Sequence, residues 1–241
     1  MNTKLAKSNE DLQSFAYVAS HDLQDPLRKI RTFGTRLQER CSEELSDKGK
    51  DYLERMVNAS ERMSILIEDL LSFSSLNSRA KPTSLVSLMD ILDEVLNDNM
   101  ITLQENDAKI ESSELPEIEG EKTQLRQIFQ NLIGNSLKFH RLDVRPRIKI
   151  WHEASENILG PVAKIFIEDN GIGIEPEYHK KVFVVFSRLH SRDVHKGSGI
   201  GLSVCKKIMD RHHGTVKIKS NETVGCTFIL TFPLQQPQLT K

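Results

Sequence analysis

The sequence predicts an α+β protein: an antiparallel helical hairpin that pairs with a second copy as a four-helix bundle, followed by an α/β sandwich. Three observations predict it. Composition changes near residue 80, since before that point glycine occurs only at Gly34 and Gly49 and proline only at Pro26. The same stretch carries apolar residues at helical spacing, whereas beyond it helical stretches alternate with strands patterned every second residue. A length of 241 residues is enough for one or two domains, each with its own core.

Leu5, Leu12, Phe15, Ala19, Leu23, Ile30, Phe33 and Leu37 recur at steps of three, four and seven, the stripe of one amphipathic helix from Thr3 to Arg40. Pro26 removes one backbone donor and is expected to kink this helix without ending it, because the stripe continues past it. Cys41 to Leu45 forms a polar break and Ser46-Asp47 a cap. A second stripe runs through Tyr52, Met56, Ala59, Met63, Leu66, Ile67, Leu70, Leu71 and Phe73. One hairpin cannot cover both of its apolar flanks, so a homodimer through this hairpin is expected. Ser75 to Ser84 is a linker by composition. Beyond it, Leu88 to Gln104, Glu121 to His140 and Ile200 to His213 have helical period. Arg147–His152, Val162–Glu168, Thr215–Lys219 and Thr227–Phe232 alternate like half-buried strands. The domains are then residues 1–76, a linker 77–84, 85–235 and a tail 236–241.

Charge and cysteine usage exclude several classes. Lys plus Arg is 33 and Asp plus Glu is 34, a net charge of -1 that argues against nucleic acid as the main partner. The longest apolar runs, such as Val182–Phe186, are far short of a membrane span, and no signal core follows Met1. Cys41, Cys205 and Cys226 are dispersed without a C-x-x-C spacing, which fits reduced thiols in a cytoplasmic protein, or in the cytosolic core of a larger sensor.

The candidate chemistry begins with glycines. Asp169-Asn-Gly171-Ile-Gly173 follows a strand, and Gly197-Ser-Gly199-Ile-Gly201-Leu202 opens a helix. Such glycines let backbone N–H groups approach an anion, with a helix dipole behind them, although a turn or packing glycine is an equal reading of either run alone. Neither run matches the P-loop or G-x-G-x-x-G patterns. Asn131, Asn135 and Lys138 lie at i, i+4 and i+7, so one helical face presents two amides and a cation beside Leu132, Ile133, Leu137 and Phe139. An amide oxygen there can ligate Mg²⁺, a hard cation that takes its remaining ligands from water and nucleotide phosphates. His21 differs from the seven other histidines because Asp22 follows it and Pro26 lies five residues on. A neutral imidazole is a competent nucleophile, and Asp22 can hold its N–H or remove its proton.

In order, Asn131/Asn135, Asp169-x-Gly171-x-Gly173, Phe183-x-x-Phe186-x-Arg188, Gly197-x-Gly199-x-Gly201 and Gly225-x-Thr227 resemble the N, G1, F, G2 and G3 boxes of sensor histidine kinases. Ser20-His21-Asp22-Leu23-Gln24-Asp25-Pro26-Leu27-Arg28 resembles their phosphoacceptor H box, and its surroundings are similar to the kinase modules of phytochrome-like bacterial sensors. The resemblance runs from about residue 10 to about residue 233, and six motifs in one order make it specific.

The resemblance implies an ATP-dependent protein-histidine kinase with a Bergerat-type ATP-binding sandwich, which autophosphorylates His21 and passes the phosphoryl group to an aspartate of a response regulator. It implies that Asp169 bonds the adenine amino group and that Asn135 ligates Mg²⁺. Asn131 would orient water or the metal shell, at a position where ATPases of the superfamily carry a glutamate base. Lys138 would meet phosphate oxygens, and Arg188 would offset charge on the transferring group. Gly171, Gly173, Phe186, Gly197, Gly199, Gly201, Leu202 and Thr227 would line the nucleotide, with a lid from Ile174 to Ser198. Two positions depart from the family pattern. Asp25 stands where Thr or Asn is common, which predicts weak phosphatase activity, and Ser187 stands where Tyr is frequent in the lid. The alternative reading is a catalytically weak dimeric scaffold or phosphorelay adaptor that binds ATP.

Overall fold

A computed structural model describes residues 2–75, 84–157, 160–189, 198–220 and 225–234, with the backbone alone for 2–19, 21, 72–75 and 157. Its internal contacts divide it into two units, residues 1–78 with 192–200, and residues 79–191 with 201–241.

The first unit is built on α1 (Asn2–Arg40) and α2 (Asp47–Ser75). Helix α1 runs through Pro26 as one element. After the break, the Ser46 hydroxyl accepts the Gly49 N–H at 3.2 Å, which caps α2 as its sequence predicts. Leu27, Leu53 and Ile67 are buried between the helices, together with Ser20 and Ser60. Ser60 meets its hydrogen-bond need by donating to the Leu27 carbonyl at 2.8 Å. The apolar stripes themselves are largely uncovered: Leu23, Ile30, Phe33, Leu37, Tyr52, Met56 and Met63 are all exposed. Periodicity located the apolar faces, but among the described side chains many on both faces are not covered by the other helix.

The second unit opens with a two-stranded antiparallel ribbon, β1 (Ser84–Ser87) and β3 (Glu117–Gly120). Ser87 ends β1 and caps α3 (Leu88–Asp98), its hydroxyl accepting the Asp90 N–H. The helix read as continuous from Leu88 to Gln104 breaks at Asn99, and α4 (Met100–Glu105) follows. Asn99 ends α3 because both its side-chain amide and its backbone N–H donate to the Val95 carbonyl, at 2.8 and 3.2 Å. Strand β2 (Lys109–Ser112), helix α5 (Lys122–Lys138), β4 (Arg147–Asn157), β5 (Gly160–Asp169), α6 (Gly201–Arg211), β6 (Thr215–Ser220) and β7 (Cys226–Pro233) complete the unit.

The sheet order is β2-β4-β5-β7-β6, with β2 parallel to β4 and every other pair antiparallel. Strand alternation sends Ile148, Ile150, Ile165, Ile167, Phe228, Leu230 and Phe232 inward. Against them lie the buried sides of α3, α5 and α6, supplied by Ile91, Leu92, Leu125, Phe129, Leu132, Val204 and Ile208. Trp151 and Phe166 stack at 4.8 Å between ring centroids, with the Lys149 ammonium over the Trp151 ring. At the start of α5, the buried His212 ring accepts the Glu121 N–H at 3.1 Å, and its Nδ1 meets the Ile208 carbonyl at 2.9 Å. This contact ties the entry of α5 to the end of α6.

Candidate nucleotide site

The inward face of β5 reads Ala163, Ile165, Ile167, Asp169, so a carboxylate takes the place of the next aliphatic side chain. Asp169 is only 9% exposed, and a lone carboxylate there needs donors. It has three. Its Oδ1 accepts the Gly171 N–H at 2.9 Å and the Cys226 N–H at 3.2 Å, while Oδ2 lies 3.2 Å from the Ser136 hydroxyl. Burial pushes the carboxyl above the usual range, and the Gly171, Ser136 and Cys226 donors pull it part of the way back. One acceptor position on Oδ2 remains for an incoming donor.

The turn that aims Asp169 depends on two glycines. A Cβ on Gly225, whose φ is +85°, would stand 1.9 Å from the Asp169 carbonyl oxygen. A Cβ on Gly171 would stand 2.5 Å from the Phe139 carbonyl, which accepts the Ile172 N–H at 3.0 Å. Asn170 faces elsewhere and fastens the turn, donating to the Arg145 carbonyl at 2.9 Å and accepting the Arg147 N–H at 2.8 Å.

Helix α5 presents Asn131, Asn135 and Lys138 on one half-buried face. The Asn131 amide donates to the Gly201 carbonyl at 3.2 Å and bonds the buried Cys205 thiol, which burial pushes up to about 12. Asn131 therefore clamps the first turn of α6 to α5. Among the described residues no hydrogen bond engages the Asn135 side chain, and its oxygen can accept a hard cation. No three His, Cys, Asp or Glu side chains among the described residues group to hold a metal, so Mg²⁺ there needs phosphate oxygens as well. Lys138 lies with its ammonium 4.7 Å from the Phe139 ring centre. Burial first, and the Arg188 charge second, pull its pKa below the usual range. Two cations that destabilise one another are a place where a polyanion gains binding energy. The residues fit a magnesium nucleotide on these grounds.

Gly173 and Gly199 have φ of +74° and +76°, and Leu202 lies in the first turn of α6. Phe186 is exposed and has φ +63°, a left-handed conformation that a bulky side chain adopts only under constraint. It follows the short turns at Pro176–Tyr178 and Lys181–Phe183. Gly197 lies outside the described residues. Register sets Thr227 opposite Glu168 and Lys219, whereas Cys226 pairs with Asp169 and shares its inward face. Strand alternation thus puts Cys226, not Thr227, beside the carboxylate. Sequence reading also missed Ser136, whose signal was a hydroxyl one turn after Leu132 on the core side of α5. In the hairpin, His21 belongs to α1, Asp22 is exposed, and Asp25 pairs with Arg28 at 2.9 Å.

Two family models match the chain. Residues 11–79 match the His Kinase A (phospho-acceptor) domain, and residues 120–236 match the histidine kinase-, DNA gyrase B- and HSP90-like ATPase. The phytochrome-like protein Cph1 of Synechocystis is 38% identical over 231 residues, covering 95% of this chain and 30% of that protein. Cyanobacterial phytochrome A of Nostoc is 37% identical over 95% of this chain and 29% of that protein. The chain thus spans about 30% of the length of these relatives. Among solved structures, full-length ShkA in complex with AMPPNP superposes with a TM-score of 0.68 at 22% identity, covering 91% of this chain and 45% of that one. ThkA in complex with the response regulator protein TrrA gives 0.63 at 20% identity, covering 98% and 67%. Among the described residues no helix is long and apolar enough to cross a membrane. With a phospho-acceptor hairpin followed by an ATP-binding sandwich, in the order and with the boxes of the family, the chain belongs to the sensor histidine kinases and is their catalytic core.

Proposed function

We propose that this core binds Mg·ATP, autophosphorylates His21 and passes the phosphoryl group to an aspartate of a response regulator. The observation that carries the reading is the buried Asp169 carboxylate, fixed by three donors yet retaining one acceptor position. An exocyclic amino group of adenine fits that position, and a keto oxygen does not.

Asn135 would ligate Mg²⁺, which supplies charge neutralisation to the phosphates. Lys138 and Arg188 would hold phosphate oxygens and offset charge as the γ-phosphoryl group moves. In the transfer, the bond from phosphorus to the β,γ-bridging oxygen breaks and one to an imidazole nitrogen of His21 forms, with ADP leaving. The imidazole proton passes to Asp22 or to solvent. Asn131 has an amide in place of a carboxylate base and is engaged by Gly201, which favours transfer to protein over hydrolysis. The exposed stripes of the hairpin support a homodimer built through it.

The test is incubation with γ-labelled ATP, followed by acid and base treatment of the protein. Label that is acid-labile and base-stable is expected. ADP release without protein label would make the protein an ATPase, and neither product would make it a scaffold.

A further inference from the structure

Ser136 is a buried polar residue to which the kinase reading gives no role. It follows Asn135 on α5 and is 4% exposed. Its hydroxyl has one proton and two acceptors within reach, the Leu132 carbonyl at 3.1 Å and Asp169 Oδ2 at 3.2 Å. The Leu132 carbonyl also lies four residues back along α5, where it receives the helical N–H of Ser136, so it can release the hydroxyl and stay bonded. Asp169 Oδ1 is filled by the N–H groups of Gly171 and Cys226. Any proton on the carboxyl must therefore sit on Oδ2, beside Ser136.

Two fully bonded arrangements follow. With Asp169 ionised, the Ser136 hydroxyl donates to Oδ2. With Asp169 protonated, Oδ2–H donates to Ser136 Oγ, and the hydroxyl turns back to the Leu132 carbonyl. We propose that Ser136 is a positioning residue for nucleotide recognition, which holds Oδ2 of the ionised carboxylate with one acceptor position open to the base amino group and so sets the pH range of binding. The inference rests on the reading of Asp169 as the adenine acceptor.

The neighbouring groups fix the sign. Glu168, on the same strand, disfavours ionisation, and the Cys226 thiol on β7 is pushed up by burial and by Asp169 itself. On α5, the residues that meet the carboxylate carry no charge. A charge-assisted donor stabilises the ionised form more than Oγ stabilises the protonated one. Removing the hydroxyl therefore raises the Asp169 pKa, and because the ionised carboxylate is the stronger acceptor for the base amino group, affinity is lost sooner as pH falls.

The experiment measures ADP binding to the full chain by calorimetry between about pH 5 and 8, spanning the range of raised carboxyl pKa values. Titration of ADP itself is common to all proteins and cancels in the ratio of wild-type to variant affinity. For Ser136→Ala that ratio should grow as pH falls, by about three- to tenfold between the two ends of the range. Ser136→Cys keeps the side-chain volume with a weak donor and should follow Ala, which separates the hydroxyl from packing. A ratio that is flat with pH for both variants would overturn the inference. Asp169→Asn is the companion variant: wild-type ADP affinity there would overturn the adenine assignment itself, whatever Ser136 does.

Discussion

The two units handle apolar surface in opposite ways. In the hairpin, Phe33, Tyr52 and Met56 are 60%, 63% and 58% exposed, while the mutual face of the two helices is thin and includes the polar Ser20 and Ser60. In the sandwich, Ile91, Phe129, Leu132, Ile165, Leu230 and Phe232 are fully covered by their own chain. A carboxylate buried among them, Asp169, accepts hydrogen bonds from three donors. A unit that leaves such side chains in water forgoes about 1.5–3 kcal/mol for each. The hairpin is thus an unfinished core, which the proposed pairing with a second copy would complete, and the sandwich is a finished core with a buried carboxylate built into it. On the proposed reading, the unit that carries His21 depends on assembly and the unit that carries Asp169 does not.

The largest expected break in this contrast is Gly225→Ala. The new Cβ meets the Asp169 backbone and must adopt a positive φ. Loss of cooperative thermal unfolding of the sandwich is expected, with hairpin helicity and dimerisation retained in circular dichroism and sedimentation. Simultaneous loss of the dimer would show that the two units are not independent. Asp169→Asn comes next, with ATP binding weakened about ten- to a hundredfold, the cost of exchanging a charged acceptor in a dry site. Fluorescence titration measures it, and the sedimentation coefficient should not move. On the other side of the contrast, Phe33→Glu with Met56→Glu should turn the dimer into monomers while ATP affinity stays within about twofold, a difference below 0.5 kcal/mol. A dimer that survives both charges would place the interface elsewhere.

The smallest effect is expected at Asp25. Its carboxylate would repel an aspartyl phosphate on a docked regulator, but Arg28 lies 2.9 Å away on an exposed surface and offsets part of that charge. Asp25→Thr in a His21→Ala background should therefore speed decay of a phosphorylated regulator by only about two- to tenfold, under 1.4 kcal/mol. Rapid decay with Asp25 intact would show that the carboxylate does not hinder the reaction.

Much of this was legible in the sequence because long-period signals are strong. The helical stripes of α1 and α2, the alternation of β4, β5, β6 and β7 and the glycine boxes all repeat a pattern over many residues. The short strands β1, β2 and β3, four residues each, carry too few alternations to stand out. The break at Asn99 was hidden because an amide that caps a helix is also tolerated inside one. At the site, the motifs located Asp169 and the α5 face. Which of Cys226 and Thr227 turns toward the carboxylate depends on strand register, which only pairing fixes. Ser136 was passed over because its role is a contact 33 residues away in sequence. The stripes showed that the hairpin faces are apolar but not which surface covers them.

The claim that the acceptor and the nucleotide site reside in separate units is tested most directly by one measurement on His21→Ala. The variant and the wild type are each incubated with γ-labelled ATP, and protein-bound label is compared alongside ATP affinity. The account predicts that acid-labile label disappears from the variant while ATP affinity remains that of the wild type. Acid-labile label persisting on His21→Ala, or ATP affinity falling with it, would contradict the account.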